Sequence, residues 1–206
     1  MSTVGTTRID LEAAGAALAA EAARFASFGW MRGTAGNLSV VVGRDPLRLA
    51  VTASGIDKGD LTAADVVLVD ADGRAVRGGR PSAEAALHAR IAARTGAGAV
   101  VHVHTVASVA VSHRHPEGIV FHDLEMLKGV GRPAEDEHVL LPVIPNSQDM
   151  SKLAGHFDTA RNPDVPAVLV AAHGLYAWGP DLAAARHHTE TVEWLLEFHQ
   201  AVYASA

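Results

Sequence analysis

Ala99-Val100-Val101-His102-Val103-His104 is the stretch on which the reading of this chain turns. Its β-branched residues predict a strand, and on a strand residues i and i+2 share a face. His102 and His104 then project one way while Val101 and Val103 project the other. Such a pair offers two ligands to one metal, although two polar residues on a solvated face would show the same spacing. The apolar neighbours and the helix predicted just before the strand argue against full solvation.

A third histidine adds to the pattern. His173 follows the apolar run Ala167–Ala172 and precedes Gly174, a natural turn. Strand ends are where sheets flanked by helices build sites. Two imidazoles from one strand and one from another would make a three-nitrogen site with an open position, the pattern of catalytic rather than structural zinc. Imidazoles without thiolate suit zinc, and iron, cobalt or manganese also accept them.

Composition supports looking for chemistry here. The chain has 206 residues, and its 12 histidines outnumber its 5 Phe, 3 Trp and 2 Tyr together. Cysteine is absent, which excludes disulfides, thiolate nucleophiles and Cys-type zinc or iron–sulfur sites. A net charge of −6 gives no overall basic footprint for nucleic acid or an anionic membrane. Met1–Asp10 is polar, and Glu12, Glu21 and Arg24 interrupt the Ala-rich stretch that follows, so neither a signal sequence nor a membrane span is expected. The expectation is a soluble, cytoplasmic protein.

Outward from the histidines, helical spacing predicts a helix over 9–28. Leu38–Val42 and Arg48–Thr52 read as a hairpin across Asp45-Pro46, and Val66–Val69 as another strand followed by a turn at Asp70–Gly73. Ser82 is a natural N-cap for a helix over Ala83–Arg94 ended by Gly96. A helix over Thr105–His113, a strand over Val139–Ile144 that Pro142 marks as edge or bulge, a helix opened by Ser147 or Asp149, a buried central strand at Ala167–Ala172, a strand at Leu175–Trp178 and a helix over Asp181–Ala204 complete the series. Strands and helices interleave throughout, so residues 1–206 read as one α/β domain with helices covering a sheet.

Two acids are candidate proton carriers. Glu84 lies at the predicted helix start, where the macrodipole favours an anion and lowers its pKa. Glu125 lies near His122 and Asp123. Four residues after Glu84, His88 shares its helix face. Gly36-Asn37, Ser54-Gly55 and Ser82 each offer donors suited to a phosphate, though each alone is an ordinary turn or cap. No nucleotide-binding glycine motif is present.

Taken in order, Gly33-Thr34-Ala35-Gly36-Asn37-Leu38-Ser39, Val51-Thr52-Ala53-Ser54-Gly55, Pro81-Ser82-Ala83-Glu84, His102-Val103-His104 and His173-Gly174 resemble the class II aldolase/adducin family. Within it, His122-Asp123-Leu124-Glu125-Met126-Leu127-Lys128-Gly129 and His173-Gly174-Leu175-Tyr176-Ala177-Trp178-Gly179 are similar to a branch that dehydrates a ketopentose 1-phosphate. The resemblance implies a three-layer α/β/α sandwich with a largely antiparallel central sheet. It also implies one Zn2+ per subunit on His102, His104 and His173, and a homotetramer with sites near subunit interfaces. Gly36, Asn37, Ser54, Gly55 and Ser82 would hold the phosphate of a small sugar-phosphate substrate. Glu125 would match the dehydratase acid/base, and Glu84 the carboxylate that aldolases use beside the metal. Ala83 departs from the second Ser of many family aldolases, so part of their phosphate site is missing or replaced. The same metal site would serve a sugar-phosphate aldolase or a pentulose-phosphate epimerase. A non-catalytic interaction domain of the adducin kind would have no need to keep the histidine set.

Overall fold

The hairpin expected around Asp45-Pro46 forms the middle of the sheet, with β1 at Asn37–Arg44 and β2 at Leu47–Thr52. This is seen in a computed structural model that describes residues 10–135 and 138–203. Further strands are β3 (Val66–Val69), β4 (Ala75–Arg77), β5 (Ala99–Val103), β6 (Ile119–Phe121), β7 (Val139–Leu141), β8 (Val143–Ile144), β9 (Ala167–Val170) and β10 (Gly174–Gly179). The helices are α1 (Leu11–Ser27), α2 (Ala85–Thr95), α3 (Val106–Arg114), α4 (Met150–Ala160) and α5 (Leu182–Tyr203), with a 3-10 helix at Glu125–Val130.

Eight strands form one sheet in the order β4-β3-β2-β1-β5-β10-β9-β8, and β6 and β7 form a separate pair. Every pairing is antiparallel except β8 with β9. One face packs on α1, α3 and α5 through Leu18, Phe25, Val111, Leu195 and Leu196. The other packs on α2 and α4 through Leu87, Ile91, Leu153 and Phe157. Val101 and Val103 face the first layer. Tyr176, cross-strand partner of His102, faces the second. Helix on sheet on helix is thus the observed layering, as the resemblance implies.

Some boundaries move, each for a local reason. Helix α2 starts at Ala85 rather than Ala83, and its N-cap is Glu84, not Ser82. The expected strand over Val139–Ile144 breaks at Pro142 into β7 and β8, because proline has no N–H to continue the ladder. The break sends the two halves to different sheets. Strand β9 is fully buried but lies next to the sheet edge rather than at its centre. Asp149 caps α4 by accepting from Ser151 and Lys152 N–H. The expected helix ends at Ile9 and Ala204 lie outside the described residues.

Antiparallel pairing places the site. Asn37 at the start of β1 pairs with His102 near the end of β5, and Leu175 near the start of β10 pairs with Val103. Ser39 pairs with Val51 near the end of β2. Four strand ends therefore meet at one end of the sheet, together with the loops that leave them.

Candidate metal and sugar-phosphate site

His102 sits on β5 with its side chain fully buried, and its Nδ1 donates to Leu175 O at 2.9 Å. That bond leaves Nε2 to face the other histidines and Glu84. His104 Nε2 lies 2.7 Å from His102 Nε2. His173 joins from the turn between β9 and β10, where Ala172 adopts a positive φ of 52°. Gly174 makes the approach feasible: a Cβ there would lie 2.3 Å from Val103 O and 3.2 Å from His102 Cε1. Any larger residue would push β10 and the third histidine away from β5.

Glu84 completes the group. As the N-cap of α2 it makes no capping hydrogen bond with its side chain. Its carboxylate turns instead to the histidines, with Oε2 3.3 Å from His102 Nε2 and Oε1 2.9 Å from His173 Nε2. Asn37 Nδ2 donates to Oε2 at 2.6 Å. Burial alone would raise the Glu84 pKa, but the charge of His102 and hydrogen bonds from His102, His173 and Asn37 hold it well below the usual carboxylate range. The depression expected from the sequence is present, but the histidines and Asn37 cause it rather than the helix end. His104 is pushed down to about 3, first by burial and then by the neighbouring His102 and His173, so its imidazole is neutral at pH 7.

Ligand atoms of Glu84, His102, His104 and His173 all lie within 4.8 Å of one another. Three imidazole nitrogens and one carboxylate, with no thiolate, are a donor set that fits a divalent cation of zinc-like softness.

The phosphate candidates gather at the same end of the sheet. An isolated bridge between Ala53 and Pro81 brings Ser54-Gly55 alongside Pro81-Ser82. Ser54 N–H is taken by Arg80 O, which leaves its half-buried hydroxyl as the donor on offer. Ser82 Oγ accepts from Glu84 N–H at 3.3 Å. Gly36 has a φ of 75°, and a Cβ there would sit 2.9 Å from His102 O. Asn37 is placed differently from the other candidates: it is buried, and its amide is committed to Glu84. Lys58, which sequence reasoning passed over, is almost fully buried. Its Nζ donates to Thr34 O at 3.1 Å and Ile56 O at 2.7 Å, tying the loop before β1 to the loop after β2. Desolvation lowers its pKa. The only clue in the sequence is its place one turn beyond Ser54-Gly55.

Glu125 is not brought into this group. It opens the 3-10 helix with its side chain 76% exposed and pairs with Lys128 Nζ at 2.7 Å. Leu127 and Val130 of that helix pack into the α5 side of the sheet, whereas His102 faces the α2 side with Tyr176. His122 is exposed and bonds Asp123. His88 is buried, with Nδ1 2.8 Å from Ser39 Oγ.

Comparison with known proteins agrees with this architecture. The model of the class II aldolase and adducin N-terminal domain matches residues 16–199. A methylthioribulose-1-phosphate dehydratase of Sulfurihydrogenibium sp. is 43% identical over 173 residues, 82% of this chain and 80% of the relative. A protein of the same name from Persephonella marina is 40% identical over 174 residues, 82% of this chain and 81% of the relative. Among solved structures, YgbL from Escherichia coli superposes with a TM-score of 0.80 at 24% identity, covering 95% of this chain and 92% of its own, a likeness of fold.

Proposed function

Because the chain belongs to the class II aldolase and adducin N-terminal domain family, we propose that it dehydrates 5-methylthioribulose 1-phosphate to 2,3-diketo-5-methylthiopentyl 1-phosphate, a step of methionine salvage. The observation that carries this reading is the coincidence of two facts. Relatives of that name match at 40–43% identity over most of both chains, and the three histidines converge with Glu84 at one strand-end site.

In this reading His102, His104 and His173 hold one Zn2+ per subunit. When bound, the ion polarises the C2 carbonyl and so makes the C3 hydrogen acidic. The chain's own residues do the rest. The Ser54 and Ser82 hydroxyls and the loop around Gly36 and Gly55, stapled by Lys58, anchor the phosphate and so align the reacting carbons. A carboxylate takes the C3 proton. The C4–O bond breaks as the hydroxyl receives a proton, water leaves, and the resulting enol ketonises. Glu125 is the group assigned to this proton transfer. Glu84, held anionic among the histidines, is a poor donor and shapes the metal's surroundings. Asn37 orients Glu84 rather than the phosphate.

Glu125 lies outside the histidine group of its own chain, so the reading has it serve a neighbouring subunit within a homotetramer. The exposed Val120, Trp194 and Tyr203, at 41%, 42% and 50% exposure, support a covered surface on this side of the molecule. Each subunit is read as one such domain over 1–206. No helix among the described residues is long and apolar enough to cross a membrane. A cytoplasmic setting fits a phosphorylated substrate.

A second reading, sugar-phosphate aldolase chemistry, is favoured by Glu84, the carboxylate that stands beside the proposed metal. Metal-free enzyme given 5-methylthioribulose 1-phosphate should be inactive and should recover when zinc is restored stoichiometrically. Equal turnover with and without zinc would refute the assignment.

A further inference from the structure

Tyr176 belongs to the Gly174–Gly179 stretch, yet no step above uses it. The structure places it directly across from His102 in the β10–β5 register. Its ring lies face to face with the His102 imidazole, with centroids 3.9 Å apart and planes 10° from parallel. Tyr176 is fully buried. Behind it, His88 of α2 meets the same ring edge-on at 5.7 Å and is itself anchored to Ser39 Oγ. Asn37 flanks His102 on the opposite side, from β1.

We infer that Tyr176 is a positioning residue whose ring face fixes the plane of His102 and so sets the direction of its Nε2. The Nδ1 bond to Leu175 O leaves the imidazole free to tilt about that bond. The flat ring packed against its face removes this freedom, and His88 keeps the tyrosine from yielding. The His102 Nε2 is thereby held 2.7 Å from His104 Nε2 and 3.3 Å from Glu84 Oε2. The function resides in the ring face: the hydroxyl lies within reach of the Glu84 carboxylate but makes no close hydrogen bond among the described residues. This inference rests on the metal-site reading and deepens it: groups that orient ligands typically change metal affinity by about 10–100-fold when removed.

The test is cobalt binding, which reports on the site without turnover. Tyr176→Phe keeps the ring, and Tyr176→Met keeps apolar bulk without it. Trp178→Leu is a lesion of the same core on the same strand, two residues from Tyr176, where Trp178 packs on Phe157 rather than on His102, His104 or His173. The Phe variant should bind Co2+ with wild-type affinity and an unchanged visible spectrum. The Met variant, at comparable secondary structure content, should bind roughly ten-fold or more weakly with an altered spectrum. Trp178→Leu should lose thermal stability and leave cobalt affinity unchanged. The inference is overturned if the Met variant binds like wild type, if the Phe variant loses affinity, or if Trp178→Leu weakens cobalt as much as Tyr176→Met. Should Tyr176→Met fail to fold, Tyr176→Leu supplies the ring-less variant, with the same loss of cobalt affinity expected and wild-type affinity overturning the inference. Wild-type protein that binds no cobalt would overturn the metal reading as well, which separates the two failures.

Discussion

His104 is the most informative single residue, because the neighbouring His102 is bonded to the backbone and His173 sits on a turn, while His104 is held by the group itself. Alanine at any of the three histidines should lower bound metal from about one per chain, with His104→Ala losing both metal and activity. Metal content that stays near one per chain in all three variants, measured by elemental analysis, would refute the site. The two acids separate by their surroundings. Glu125 is solvated and pairs with Lys128, whereas Glu84 is gripped by two histidines and Asn37. General acid–base groups contribute about 10²–10⁴-fold, so Glu125→Gln should lose that much kcat with zinc and fold retained. Glu84→Gln should lose less, or should fail through its metal content. A near wild-type rate for Glu125→Gln beside an inactive, zinc-loaded Glu84→Gln would reverse the roles. In the phosphate loops, Ser54→Ala should raise the substrate Kd roughly ten-fold, the effect of losing one hydrogen bond to a charged group. Unchanged binding by calorimetry would remove Ser54 from the site.

Helix α5 carries a prediction of its own. Glu193 is fully buried, accepts from the Thr105 hydroxyl at 2.7 Å, and is pushed up to about 8, chiefly by desolvation. A carboxyl whose folded pKa lies above its unfolded value keeps its proton in the native state while the unfolded chain releases it. The resulting cost is absent below the unfolded pKa of 4.5, grows as pH rises, and levels off above about 8. Glu193→Gln removes the ionisation and keeps an acceptor for Thr105. Its stability relative to wild type should therefore improve between pH 5 and pH 8, by up to about 1.4 kcal/mol per pH unit. A constant difference in denaturant midpoints across that range would contradict a protonated Glu193. Nothing in the local sequence announces this residue. Its burial comes from the packing of α5 on β5, β10 and α3, a tertiary fact. The strands and helices, by contrast, were readable because their signals are local: β-branched runs, Asp149 before α4, and the αL glycine Gly96 after α2. The histidine pair was readable for the same reason, since the two-residue repeat of a strand fixes its facing. Asn37, Lys58 and Tyr176 were not legible in their present contacts. Each acquires its partner from a strand or loop far along the chain, and only the register supplies that information.

At the scale of the whole molecule, the chain holds its metal candidates and Glu125 on different sides of the sheet, so the reading needs a second copy. Mixing His104→Ala with Glu125→Gln tests this. If Glu125 works on a neighbour's site, co-refolded mixtures form some sites with wild-type histidines and a wild-type Glu125, and activity returns although each parent is inactive. Mixtures as inactive as their parents, at confirmed subunit exchange, would place Glu125 and its metal in one chain. Zinc-loaded wild-type protein should be incubated with 5-methylthioribulose 1-phosphate and the products followed by mass spectrometry and carbon NMR. One product is expected, lighter than the substrate by one water, with carbonyls at C2 and C3 and the carbon chain intact. Cleavage between C3 and C4 into a three-carbon ketose phosphate and a two-carbon aldehyde bearing the methylthio group would contradict that expectation.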